Sequence, residues 1–280
     1  MPLTYQEFSQ KLSTELQPLY SKEESQVLVE WLLEHHLGLR RVDVFHFLEE
    51  KDIPEAIWKD FDRLKSGEPI QYILGHGPFY GREFLVNSHT LIPRNETEEL
   101  VHLILKENPE AGLRILDIGT GTGCIPITLQ LEMKSVEVFA LDLSRDALEI
   151  AQKNAKKYRA EVEFILMDIL QDTPDLSGLD ILVSNPPYVP LQEKAFMHQN
   201  VLEHEPHLAL FVSDQDPLLF YRVIAQKGKA LLKKKGKIYF EIFEKSGKDV
   251  VELLKKLGYS QLKLHQDLNG KDRMISAINE

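Results

Sequence analysis

One cysteine, Cys124, stands in a chain of 280 residues, which leaves no internal disulfide framework and no cysteine-based zinc site. No apolar run approaches the roughly 20 residues that a membrane-spanning helix needs. The opening stretch, Met1-Pro2-Leu3-Thr4-Tyr5-Gln6-Glu7, has no basic segment leading into an apolar one, so no signal peptide is expected and the compartment expected is the cytoplasm. Excess positive charge is missing too, the formal net charge being -11. A protein that grips a long nucleic-acid backbone usually carries a basic face, and this balance weighs against stable nucleic-acid binding. Lys233-Lys234-Lys235 and the run from Lys153 to Arg159 read as solvated helix ends. No internal repeat or low-complexity tract is present. What is there is an ordinary globular mixture, 43% hydrophobic and 28% charged, with room for a full α/β domain plus something smaller.

Three regions follow one another. From about Tyr5 to Ser66 the apolar spacing is helical: Val27, Leu28, Trp31, Leu32 and His35 recur at three and four residues, as do Phe45, Leu48, Ile57, Phe61 and Leu64 across two shorter segments. Ser21 with Glu24 resembles a capping box, and Pro54 suits the first turn of a later helix. Glu23, Glu24, Glu30, Glu34, Glu49, Glu50, Asp52, Asp60 and Asp62 make the outside acidic. Residues 1–70 are expected to form a small all-α domain. Over 71–92 the periodicity fails, and Phe84-Leu85-Val86 and Thr90-Leu91-Ile92 suggest a β-hairpin linker turning at Asn87-Ser88. A helix is expected from about Glu96 to Glu107.

Over 93–280 strands and helices alternate. The expected strands are Leu113–Ile118, Val136–Leu141, Val162–Met167, Asp180–Ser184, Lys237–Ile242, Ser260–His265 and Met274–Ile278, with helices at about Cys124–Glu132, Ser144–Tyr158, Pro217–Lys233 and Ser246–Leu257. Strands rich in Val, Ile and Leu are those covered on both faces. The fold expected is α/β: a seven-stranded, mostly parallel, doubly wound sheet closed by an antiparallel pair, of the kind common to methyltransferases.

The first of these strands runs into Asp117-Ile118-Gly119-Thr120-Gly121-Thr122-Gly123, and a helix follows at once. Glycines there let a ligand approach the backbone. A nicotinamide-binding loop would place its third glycine one position later, where Cys124 stands. A carboxylate at Asp117 is poorly suited to a pyrophosphate and well suited to the sulfonium or amino group of S-adenosylmethionine. Asp142 closes the second strand about 20 residues on, the usual place for a carboxylate that accepts ribose hydroxyls. Asp168, with Ile169 beside it, is expected near the adenine. Cys124 reads as a small buried side chain. His198, His204 and His207 match no metal-ligand spacing, and no metal is expected.

The fourth strand leads into Asn185-Pro186-Pro187-Tyr188, the most specific signal in the chain. Two prolines fix the chain direction and remove two backbone donors. A rigid turn alone would need neither the Asn before them nor the aromatic after. An amide or aromatic amine is a weak nucleophile whose lone pair must be aimed in line with the leaving group. The Asn185 side-chain oxygen and the Pro186 carbonyl could accept its two N–H groups and favour the charge that develops there. Pro187 would stiffen the support, and Tyr188 could stack on a planar amide or base.

That motif occurs in methyltransferases acting on planar nitrogens. The chain as a whole resembles the release factor glutamine methyltransferases, the PrmC/HemK family, over nearly its full length. The resemblance rests on Gly67-Glu68-Pro69-Ile70-Gln71-Tyr72-Ile73-Leu74-Gly75, Leu91-Ile92-Pro93-Arg94 with Thr97-Glu98, the Gly119 loop, the Asn185 motif, Glu205-Pro206 with Leu208-Ala209-Leu210, and Asp267 with Asp272-Arg273. It implies a helical domain joined through a hairpin to the methyltransferase domain, S-adenosylmethionine as cofactor, and as partner a release factor whose Gly-Gly-Gln glutamine receives the methyl. The chain is expected to be a monomer. By analogy Arg94 lines the substrate pocket, with a structural salt bridge as the alternative. Asn95 stands where the family has proline. Phe243 stands where a glycine commonly follows Glu241, so the resemblance assigns Glu241 no role. The alternatives are methylation of a ribosomal-protein glutamine, methylation of nucleic-acid adenine, and a silent cofactor-binding adaptor.

Overall fold

The computed structural model describes residues 3–40, 42–43, 47–48 and 53–280. Phe45, Glu49, Glu50 and Asp52 lie outside the described residues. The chain divides into two compact units, Met1–Gly75 with His198–His204, and His76–Met197 with Glu205–Glu280.

In the first unit a two-residue strand β1 (Leu3–Thr4) leads into α1 (Tyr5–Leu16), with α2 (Lys22–Leu37), β2 (Phe47–Leu48), α3 (Glu55–Lys65) and α4 (Ile70–Leu74) after it. The Thr4 side chain accepts the Glu7 N–H while the Glu7 carboxylate accepts the Thr4 N–H, which satisfies two orphan donors at the start of α1. Tyr5, Phe8, Leu12 and Leu16 then fall on one buried stripe. Ser21 caps α2 through the Glu24 N–H at 3.1 Å. The buried face of α2 differs from the expected one: Ser25, Val29, Leu32 and Leu33 point inward, while Val27 and His35 are exposed. The true stripe includes a serine, whose hydroxyl is satisfied by the Ser21 carbonyl at 2.8 Å, and a purely hydrophobic template passes over it. Ile57, Phe61 and Leu64 bury as expected from α3, which Pro54 precedes as N-cap. Among the described residues the strand pairing of this unit is the antiparallel pair of β1 with β2.

The second unit opens with a hairpin, β3 (His76–Phe79) and β4 (Arg82–Leu85). This corrects the expected hairpin, because Thr90–Ile92 is not a strand. The turn is Tyr80-Gly81, with φ of 49° and 71°, the pair of positive values that a two-residue hairpin turn matching strand twist demands. Phe79 and Phe84 bury edge to face, their centroids 5.9 Å apart. Next come α5 (Asn95–Glu107), β5 (Arg114–Ile118), α6 (Cys124–Glu132), β6 (Glu137–Asp142), α7 (Arg145–Tyr158), β7 (Val162–Leu166) and β8 (Leu179–Ser184). A short β9 (Val189–Pro190) precedes a 3-10 turn at Leu191–Phe196, α8 (Gln199–His204, counted with the first unit), α9 (His207–Leu210) and β10 (Phe211–Val212), which pairs in parallel with β9. The chain finishes with α10 (Leu219–Leu231), β11 (Leu232–Glu241), α11 (Gly247–Lys256), β12 (Tyr259–Gln266) and β13 (Asp272–Asn279).

Seven strands form one sheet in the order β12-β13-β11-β8-β5-β6-β7, parallel except for β13, which runs against both neighbours. One face packs Leu116, Ile118 and Leu182 against Tyr221, Ile224, Val250 and Leu254 of α10 and α11. The other packs Ile115, Ile181 and Val183 against Leu100, Ile104 and Ile127 of α5 and α6. The chain winds outward from β5 to β7 and then crosses back to β8 on the far side of β5. That reversal opens a crevice at the carboxyl ends of β5 and β8, where open α/β sheets bind ligands.

Candidate active site

The β5–β8 register pairs Ile118 with Ser184, so the Gly119 loop and Asn185 leave the sheet side by side. The Ser184 hydroxyl donates to the Ile118 carbonyl at 2.7 Å and locks the two strand ends together. Above them lies a cleft of about 330 Å³ lined by Gly119 to Thr122, Asp142, Asp168, Ile169, Asn185, Pro186, Pro187, Pro93, Arg94 and Thr97.

Gly119, Gly121 and Gly123 all have positive φ, at 79°, 53° and 77°. Gly123 also has no space for a side chain, since a Cβ would lie 2.9 Å from Ile127 Cδ1 and 3.1 Å from Ala151 Cβ. The loop folds down onto β6: Gly119 and Thr120 both donate to the Leu141 carbonyl. The Gly121 N–H donates to Asp142 Oδ2 at 2.8 Å, and the Ser144 N–H to its Oδ1 at 2.9 Å. Each of these carboxylate oxygens keeps a lone pair for a ligand. Burial pushes the Asp142 carboxyl above its ordinary range, and the backbone N–H bonds oppose that. Asn154 braces the loop from behind, donating to the Thr122 carbonyl at 2.9 Å.

Asp117 is placed differently from the expectation. Strand alternation sends Leu116 and Ile118 to one face and turns Asp117 to the other, so its carboxyl is fully buried and does not line the cleft. Neither oxygen makes a well-formed hydrogen bond, and the nearby hydroxyl of Thr120 is likewise unbonded. Burial pushes its pKa up to about 7, the Thr120 hydroxyl opposing the rise and the nearby Asp142 charge adding to it. A buried carboxylate without a partner is costly unless a proton or a cation accompanies it, and a cationic ligand held beside the loop fits that need. Asp168 lines the cleft, though its Oδ1 accepts the Leu170 N–H and its Oδ2 the Gln171 side chain. Lys227 supports this turn by donating to the Ile169 and Asp172 carbonyls, both at 2.6 Å.

On the other side of the crevice, Asn185 Nδ2 donates to the Thr97 hydroxyl at 3.1 Å. Thr97, in the first turn of α5, donates in turn to Glu241 Oε2 at 2.6 Å. Tyr188 is not among the residues lining the cleft. Its hydroxyl donates to Glu241 Oε1 at 2.9 Å and its ring stacks on Phe243 with centroids 6.5 Å apart, which corrects the expectation that this ring offers its face to a planar ligand. Glu241 is 1% exposed. Burial raises its carboxyl above the usual range, while the Thr97 and Tyr188 bonds and the Arg273 charge oppose the rise. The sequence names Thr97 only within the resemblance and assigns a role to neither Thr97 nor Glu241. A Thr and a Glu 144 positions apart give no local pattern.

Arg94 is held in an ion pair, its Nη2 lying 2.5 Å from Oε1 of Glu205, whose side chain is 1% exposed. Oε2 of Glu205 accepts the Ile92 N–H at 3.3 Å. The pair clamps the Ile92–Arg94 segment to the start of the Pro206–Ala209 wall, which favours the salt-bridge alternative. Arg94→Ala strands a buried charge. Because the arginine itself is a third exposed, the expected loss is about 2 kcal/mol, below that for a fully buried pair. Urea denaturation measures it, and a loss under about 0.5 kcal/mol would return Arg94 to a substrate role. Asn95 takes the exposed first position of α5, where a missing proline leaves no gap.

Among the described residues, no group of three or more His, Cys, Asp or Glu is placed to hold a metal ion, and no helix is long and apolar enough to cross a membrane. His198 and His204 fall in the first unit and His207 in the second.

The methyltransferase small domain family matches residues 95–209, and the PrmC N-terminal domain family matches residues 7–75. The chain is 47% identical over 268 residues to a release factor glutamine methyltransferase of Flavobacterium psychrophilum, covering 93% of this chain and 94% of that one. It is 44% identical over 269 residues to one of Bacteroides thetaiotaomicron, covering 94% and 95%. A solved methyltransferase from Pyrococcus furiosus shares the fold at a TM-score of 0.54 and 16% identity, covering 78% of this chain and 96% of that one. With a glycine-loop cleft meeting an Asn-Pro-Pro-Tyr corner, and with relatives that match 93% and 94% of its length, the chain belongs to the release factor glutamine methyltransferase family and is an S-adenosylmethionine-dependent α/β enzyme.

Proposed function

We propose that this chain methylates the side-chain amide nitrogen of the glutamine in the Gly-Gly-Gln loop of a peptide-chain release factor. The observation that carries this reading is the position of Asn185, one strand over from the Gly119 loop and facing the same cleft. S-adenosylmethionine, when bound, supplies a methyl group made electrophilic by a positively charged sulfur. Gly119, Thr120, Gly121, Thr122 and Gly123 would form the cradle for it, Asp142 would take the ribose hydroxyls, and Asp168 with Ile169 would border the adenine. Asp117 supplies a negative charge from beneath the loop. Asn185 and the Pro186 carbonyl accept the two N–H groups of the target amide, which aims its nitrogen and favours positive charge on it. Pro187 fixes the path of the corner, and Tyr188 anchors it to Glu241.

Labelled methyl donor offered to purified release factor, purified large-subunit ribosomal protein and nucleic acid in parallel tests the substrate. Label is expected on the release factor. Label on the ribosomal protein alone, or in nucleic acid, overturns the choice.

A further inference from the structure

We infer that Thr97, backed by Glu241, is a positioning residue for methyl transfer, because its hydroxyl decides which end of the Asn185 amide faces the cleft. The inference rests on the glutamine-methylation reading and adds what makes Asn185 competent for it.

An asparagine amide has an oxygen and an NH₂ group at nearly equal reach, and rotation about the last side-chain bond exchanges them. The exchange is decisive here. Facing a substrate amide with its oxygen, Asn185 accepts a hydrogen bond. Turned over, it would set NH₂ against NH₂, two donors with no acceptor between them. Shape does little to choose between these states, since the two ends have almost the same size.

Hydrogen bonding does choose. A threonine hydroxyl has one proton to give and lone pairs to receive. At Thr97 the proton is committed to Glu241 Oε2 at 2.6 Å. What remains toward Asn185 is a lone pair, and the NH₂ end alone can fill it; Nδ2 does so at 3.1 Å. The oxygen is thereby left for the cleft that Asn185 lines. Glu241 plays its part by accepting from both sides, since its other oxygen receives the Tyr188 hydroxyl at 2.9 Å. One buried carboxylate at the end of β11 thus polarises Thr97 and ties down the last residue of the corner that carries Asn185. The same network has an outer layer: Arg273, whose charge favours ionised Glu241, is held by Asp267 at 3.1 Å.

The test compares wild type, Thr97→Val and Thr97→Ser for kcat and KM on a release factor, with calorimetric binding of S-adenosylhomocysteine as a readout independent of turnover. Valine keeps the shape and removes the hydroxyl; serine keeps the hydroxyl. Thr97→Val is expected to lower kcat ~10–100-fold, less than the ~10²–10³-fold of losing the oriented group itself, because Thr97 acts through Asn185. KM and S-adenosylhomocysteine affinity should stay within about threefold, as expected when an interaction made chiefly in the transition state is lost. Thr97→Ser should recover most of kcat. Unchanged kcat in Thr97→Val, or a serine variant no better than valine, overturns the inference. If the valine variant does not fold, a structure of the wild type with S-adenosylhomocysteine and a Gly-Gly-Gln peptide decides. Asn185 Oδ1 against the glutamine nitrogen supports the inference, and Nδ2 in that place overturns it. A wild-type chain that leaves the glutamine unmethylated defeats the underlying reading, and this one with it, before any variant is compared.

Discussion

Asn185→Ala lowers kcat for glutamine methylation by ~10²–10³-fold, the cost typical of deleting one preorganised polar group aimed at developing charge. The amide nitrogen of the substrate is a poor nucleophile as it arrives, because its lone pair is shared with the carbonyl. The chain's part is to hold that nitrogen in one orientation and to favour the charge it acquires. In the proposed role Asn185 would supply an acceptor, its amide held by the hydrogen bond to Thr97 at 3.1 Å, on a loop that two prolines stiffen. Alanine leaves the sheet, the glycine loop and the Tyr188–Glu241 anchor untouched, so the loss should fall on the chemical step. Single-turnover kinetics with saturating methyl donor measures it, while calorimetry with S-adenosylhomocysteine should stay within about threefold of wild type. A variant that retains wild-type turnover would remove Asn185 from the chemistry and leave the corner a mere turn.

Asp142→Ala weakens cofactor binding by ~10²–10³-fold, and Asp142→Asn by less, ~10-fold. In the proposed site two charge-assisted hydrogen bonds to ribose hydroxyls, each near the low end of about 1.5–3 kcal/mol, account for most of the difference. The rest comes from the protein itself. The carboxylate also receives the Gly121 and Ser144 N–H groups, so its removal frees the middle of a loop whose three glycines already sit at positive φ. Asparagine retains one acceptor oxygen and loses the charge. Calorimetric titration with S-adenosylmethionine reads the effect directly, and kcat at saturating cofactor should recover most of its value in both variants. An alanine variant that binds as tightly as wild type would place the ribose elsewhere in the cleft.

The parts of the fold that were legible in the sequence are those where local pattern and tertiary role agree. β5, β6 and β8 are short, mainly apolar runs with an Asp or Ser at or next to their carboxyl end, and α6 begins at Cys124 directly after the glycine loop. The hairpin lies earlier than the sequence suggests because the obvious turn residues do not close it. Asn87-Ser88 looks like turn chemistry, yet Asn87 instead closes a local turn, its carbonyl accepting the Thr90 N–H at 3.0 Å. The real turn puts a bulky Tyr80 at positive φ beside Gly81, a position tyrosine seldom takes. The phase of α2 was missed for a related reason, since a buried serine served by its own helix carries no apolar signal.

At the candidate site, the residues that line the cleft from one loop were readable and those that connect across the fold were not. Gly119 to Gly123, Asp142 and the Asn185 corner lie within a few residues of a strand end, and topology alone brings them together. Asp117 shows the limit of that logic, because alternation along β5 turns it away from the cleft that its neighbour Ile118 lines. Glu241 shows it more sharply. It ends β11, whereas Asp117 sits one residue before the end of β5, and its partners come from α5 and from the corner after β8. Only the packed structure reveals that a buried acid there serves two hydroxyls rather than solvent or metal.

Fragmentation mass spectrometry of a release factor, after incubation with this chain and S-adenosylmethionine, is the most direct test. A single added methyl on the side-chain nitrogen of the Gly-Gly-Gln glutamine is the expected result. An unmodified glutamine there, with the methyl found on another residue or on no part of the release factor, would contradict it.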